Sequence, residues 1–176
     1  MMKDNSAVLP RYDAFSRLLH WVVAAVIIYA MCMGYVLHVL EGTAYFQFFS
    51  VLNMSLGTVA TPIMLIRFVW RFFRPSVPYP RGIEGVKKGV VVLAHEVFYL
   101  AIFVTLVSGF LMLKQGYNLF GLYPIPQPIV NSEINQFFFF VHRYACISVG
   151  VLLVLHVLAI CKHQLVEKRN ILSRML

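Results

Sequence analysis

Residues 137–160 read FFFFVHRYACISVGVLLVLHVLAI. The stretch, closed by Cys161, is long and apolar enough to cross a bilayer as one helix. It carries a histidine near each end, His142 and His156, 14 residues apart. On a helix that is a rise of roughly 21 Å, with the two side chains within about 40° of each other. A neutral imidazole in lipid is costly unless it has a partner, so histidines inside a span point to function. Two on one face, one per leaflet, suit two axial ligands to two stacked haems. Two hydrogen bonds to neighbouring helices are the other account.

Composition decides the class. The chain has 176 residues, 60% of them apolar and 12% charged, with a mean hydropathy of +0.78. A soluble domain carries about twice that share of charge. The expectation is one integral membrane domain over residues 1–176, with no separate soluble catalytic domain. The net charge of +8 sits beside apolar spans, so it reads as membrane topology and not as a nucleic-acid surface. Cys32, Cys146 and Cys161 lie in or at the end of apolar stretches, with no CxxC or CxxCH, and read as small apolar packers.

Four helical spans are predicted, at about 17–38, 51–73, 90–113 and 137–161. The first is too long for a signal-peptide core. Pro62 in the second removes a backbone donor and predicts a kink. The second span ends in Arg67, Arg71 and then Arg74. These side chains either reach out to head-groups or pair with a haem propionate. Residues 74–89 and 114–135 are rich in Pro or Gly and read as loops. Four spans put both termini on one side. That side collects all 15 Lys and Arg except Lys114 and Arg143. The positive-inside rule makes it the cytoplasm. The predicted fold is all-α: an up-down-up-down four-helix bundle in a bacterial inner membrane.

Topology then sorts the histidines by depth. His20, His95 and His156 fall on the cytoplasmic side. His142 falls on the periplasmic side, with His38 the other histidine near it. Two imidazoles at one depth suit a six-coordinate haem b that transfers single electrons. No GxSxG, P-loop or HExxH is present.

The chain resembles the prokaryotic cytochrome b561 family. The resemblance rests on SRLLHW around His20, MLIRFVWR in the second span, LAHEVFYL around His95, and the His142/His156 pair with His163 beyond it. It covers nearly the whole chain. The family plan implies that His20 and His156 ligate an inner haem iron, and that a second-span histidine ligates an outer haem with His142. The second-span position holds Asn53 instead. Three outcomes stay open for the outer site: His38 as the partner, Met54 through its thioether, or a vacant or singly ligated site with His142 hydrogen-bonded, Asn53 being one donor for it. His95 with Glu96 suits proton handling at a quinone, or His95 makes an inter-helix hydrogen bond. His163 is a quinone or propionate contact, or a solvated interfacial histidine.

The function implied is electron transfer between haem b and the membrane quinone pool, with superoxide:ubiquinone oxidoreductase as a special case. The alternatives are a membrane anchor subunit of a larger dehydrogenase and a haem-free structural protein.

Overall fold

The computed structural model describes residues 10–79, 84–168 and 170–176. Lys3, Arg81 and Arg169, which belong to the charge count above, lie outside the described residues. Four long helices dominate: α1 Ala14–Leu40, α2 Tyr45–Phe73, α3 Val86–Leu111 and α4 Ser132–Cys161. A short hairpin, β1 Tyr117–Leu119 and β2 Tyr123–Ile125, joins α3 to α4. A π turn, Lys162–Val166, and a 3₁₀ turn, Leu172–Arg174, follow α4.

Each helix starts three to six residues before its predicted span. Hydropathy detects only the part of a helix that lipid covers, whereas the hydrogen-bond ladder runs on into polar sequence. The starts of α1 and α4 are sealed by side chains. Asn131 caps α4 by accepting from the N–H groups of Glu133 and Ile134, at 2.9 and 3.1 Å. The α3 helix ends at Leu111, two residues early, where Asn135 of α4 donates its amide to the carbonyls of Leu111 and Leu113 at 3.0 and 3.2 Å. The α2 helix continues through Pro62.

Asp13 caps α1. Its carboxylate accepts from the Ser16 N–H (2.8 Å), the Ser16 hydroxyl (2.6 Å) and the Trp70 indole N–H of α2 (3.1 Å). Burial opposes ionisation, but these hydrogen bonds outweigh it and hold the carboxyl below its ordinary value of 3.8. A depressed folded pKa adds stability that is present above the ordinary value and is lost as pH falls through the folded one. Asp13→Asn is therefore expected to melt below the wild type in detergent at pH 6. The gap should close as the pH is taken below 3.8. A gap that does not change with pH would show that the carboxylate charge contributes nothing.

The helices pack in sequence order, α1 on α2, α2 on α3 and α3 on α4, while α1 and α4 stay further apart. The core is drawn from all four: Val23 and Ile27, Ala60 and Met64, Ile102 and Leu106, and Val149. Leu65, Phe72, Leu100, Val154 and Leu158 point outward. An apolar exterior is what a lipid solvent requires, and all four helices are long and apolar enough to span it.

Pro10 and Leu176, the first and last described residues, lie at one end of the bundle. There Arg174, only 4% exposed, donates from Nε to the Pro10 carbonyl (3.2 Å) and from Nη2 to the Pro78 carbonyl (2.6 Å). The Tyr12 ring lies between the guanidinium groups of Arg74 and Arg174, at 4.4 and 5.5 Å. The Tyr12 N–H donates to the Arg174 carbonyl at 3.1 Å. The Trp21 indole donates to the Met175 carbonyl at 2.8 Å, and Arg17 donates to the Leu176 carbonyl. We call this the terminal end and the opposite one the hairpin end.

The hairpin is the one addition to the all-α expectation. Its reversal places Phe120 and Gly121 at φ 50° and 75°. The Leu122 N–H bonds the Leu119 carbonyl across the turn, the geometry of a primed hairpin turn. It is tied to α2 twice: the Phe120 N–H donates to the buried Ser55 hydroxyl (2.8 Å), and the Tyr117 and Thr58 hydroxyls lie 2.6 Å apart.

Candidate functional site

Each helix contributes a chemically active residue to the terminal end: His20 from α1, Arg67 from α2, His95 from α3 and His156 from α4. The sequence predicted the three histidines at one depth, and the structure brings them together. His20 is within electrostatic reach of both His95 and His156. The rings of His95 and His156 are 6.2 Å apart, with Phe98 packed on His156 at 5.7 Å.

The hydrogen bonds settle which nitrogen is available on His20 and on His95. Arg67 Nη2 lies 2.8 Å from His20 Nδ1. A guanidinium can only donate, so Nδ1 accepts and the His20 proton sits on Nε2. His95 is the reverse case. Its Nδ1 is 2.7 Å from the Val91 carbonyl. A carbonyl can only accept, so Nδ1 carries the proton and Nε2 keeps a free lone pair.

The arginines divide their work. Arg67 is held by His20 and by the face of Tyr99, at 5.2 Å, rather than by a carboxylate. Arg71 pairs with Glu96 across α2 and α3 at 2.6 Å and lies over Tyr99 at 5.3 Å. Glu96 therefore faces Arg71. Arg74 stacks on Tyr12. None of this shows in the sequence, because each partner lies far away along the chain. His163 sits in the π turn, with Nδ1 2.9 Å from the Glu167 carboxylate one turn on.

The hairpin end holds His142. Its Nδ1 donates to the Thr105 carbonyl of α3 at 2.9 Å, with the Ser108 hydroxyl at 3.5 Å. Its Nε2 faces the Cys146 thiol at 3.4 Å. A methyl group added at Gly109 would meet the His142 ring at 2.9 Å, so glycine is what lets the ring lie against α3. Asn53, the donor offered for His142 by the sequence, is not its partner. The side-chain oxygen of Asn53 is shielded from solvent and has no hydrogen-bond partner among the described residues. His38 is exposed near the end of α1. All three cysteines are free thiols. Cys146 touches His142, while Cys32 and Cys161 are exposed on the outer surface of their helices.

What the arrangement can do follows from its donors. Neutral imidazoles beside a cation, in an apolar bundle, suit a metal-centred planar anion such as a haem. The chain is similar over residues 11–176 to the family described as prokaryotic cytochrome b561. It is also similar to "Cytochrome b561 homolog 2" of Escherichia coli strain K12, with 26% identity over 172 residues, spanning 94% of this chain and 91% of that protein.

Proposed function

We propose, since this chain belongs to the prokaryotic cytochrome b561 family, that it passes single electrons between a haem b at its terminal end and a membrane quinone. The chain is a multi-pass inner-membrane b-type cytochrome. The choice of site, ligands and quinone is our reading. It is carried by one observation: His20, His95, His156 and Arg67, from four helices, share one depth. Bound haem b supplies reversible one-electron transfer there.

The axial pair we assign is His20 with His156. These two belong to α1 and α4, which do not pack closely, whereas α3 and α4 do. A porphyrin fits between helices that stand apart more readily than between helices in contact. Ligation through His20 Nε2 requires the ring proton to move to Nδ1 and Arg67 to let go. The released guanidinium is then a cation at the depth where propionates need one. The residues fit the group once this partner change is made.

His95 suits the quinone chemistry. Its free Nε2 can take a proton from a quinol or return one to a reduced quinone, with Nδ1 fixed on Val91. The Arg71–Glu96 ion pair and the His163–Glu167 contact lie at the same end. The cytoplasmic placement of this end rests on the charge bias. A superoxide:ubiquinone oxidoreductase would also need electron entry at the hairpin end, near Lys114 and Arg143.

The test is anaerobic. Dithionite-reduced protein, freed of excess reductant, is mixed with a short-chain ubiquinone. Its reduced haem band is expected to be lost rapidly. In His95→Ala the loss should slow at least about tenfold with haem content unchanged. A wild-type spectrum that stays reduced would remove the quinone from the reading, and an absent haem spectrum would remove the cytochrome.

A further inference from the structure

We infer that the hairpin-end half of the bundle is a haem pocket lacking its second axial ligand, so that this chain carries one haem and has no haem-to-haem route across the membrane. The inference rests on the cytochrome reading above and concerns only the second half of the bundle.

The register of two helices carries it. Helices α2 and α4 both run from the hairpin end to the terminal end. On α4, His142 precedes His156 by 14 residues; on α2, Asn53 precedes Arg67 by the same 14. Arg67 and His156 belong to the same cluster at the terminal end. Two helices in step there are in step one span of roughly 21 Å away. Asn53 therefore lies at the depth of His142. It also lies on the inward stripe of α2, because positions 53, 57, 60, 64 and 67 alternate steps of four and three. Ala60 and Met64 on that stripe are core residues, 2% and 1% exposed.

His142 is set up as a ligand. Its Nδ1–H is committed to the Thr105 carbonyl, which fixes the ring and leaves the Nε2 lone pair available. Only the Cys146 thiol faces that nitrogen, at 3.4 Å, and Gly109 gives the ring its room. The α2 side offers nothing in return. An amide nitrogen has no lone pair to give, and a carbonyl oxygen is a hard donor poorly matched to haem iron. The Asn53 oxygen stands inside the bundle with no partner.

The substitutes do not reach. His38 is exposed at the mouth of α1. Met54 is about 100° round the helix from the inward stripe. The single haem then lies at the terminal end, and electrons enter and leave the chain in that half. Superoxide arriving beside Arg143 would face a gap of about 21 Å with no intermediate carrier.

The experiment is a haem-to-protein ratio on the purified full chain, by pyridine haemochrome against amino-acid analysis, with a potentiometric titration of the haem band. The expected ratio is one, with a single one-electron component. His142→Ala should change neither. Asn53→His should raise the ratio toward two and add a second component. A wild-type ratio of two, or a ratio halved in His142→Ala, overturns the inference and leaves the cytochrome reading intact. An Asn53→His protein that keeps a ratio of one overturns the claim that only the ligand is missing. A wild-type ratio of zero overturns the cytochrome reading and this inference together.

Discussion

The purified His156→Ala protein is expected to lose more than nine-tenths of its haem, and His20→Ala likewise, while His95→Ala keeps it. Two imidazoles would hold the haem iron, and either substitution removes one of them. His95 is the informative control. Its Nε2 is free and its ring is 6.2 Å from His156, so donor chemistry alone makes it a rival for His20. Helix packing decides between them: α3 and α4 pack closely, whereas α1 and α4 stand further apart. Haem lost from His95→Ala and retained in His20→Ala would reverse the assignment. A cavity variant separates ligation from folding. In His20→Gly the space left by the ring can admit free imidazole, and adding it should restore the haem band. Rescue of that kind has no place in a purely structural role for His20.

The second large effect is expected from Arg174→Ala. Two charge-assisted hydrogen bonds to the carbonyls of Pro10 and Pro78 are removed, each worth about 1.5–3 kcal/mol. Water reaches part of this end, so the net loss is expected at about 3 kcal/mol. Arg174→Lys should recover less than half of it. One ammonium cannot span carbonyls on two separate segments as a planar guanidinium does. Thermal melting in detergent reads the stability. Limited proteolysis between Arg74 and Tyr79 reads the local loosening, because Pro78 is one of the two anchors. An unchanged melting temperature together with unchanged cleavage would show that Arg174 holds nothing in place.

Arg174 also marks the limit of what the sequence made legible. A lone arginine in a polar tail reads as solvated, and nothing near it in sequence announces that it is 4% exposed. The long apolar spans were legible because lipid demands a continuous signal from each helix by itself. The shared depth of the histidines was legible because four successive spans must alternate in direction. Pairings were not. Glu96 reaches Arg71, His142 reaches Thr105, and Asn135 closes the end of α3. Each bond joins two helices, and one-dimensional periodicity carries no information about rotation between helices. The hairpin was missed for a local reason. Its β2 strand contains Pro124, and its turn puts a phenylalanine at positive φ, against the preference of that residue. Asn53 was read as a departure from the family plan, though not as a group whose oxygen has no partner among the described residues.

The contacts of the tail bear on how the protein is made. Arg174 binds Pro10, and Trp21 binds the carbonyl of Met175, across separations of 164 and 154 residues. Residues 171–176 leave the ribosome after all four spans. The start of α1 therefore enters the membrane long before its final neighbours exist, and the terminal end stays open throughout translation and insertion. The tail then acts as a latch that closes only after α4 has been made.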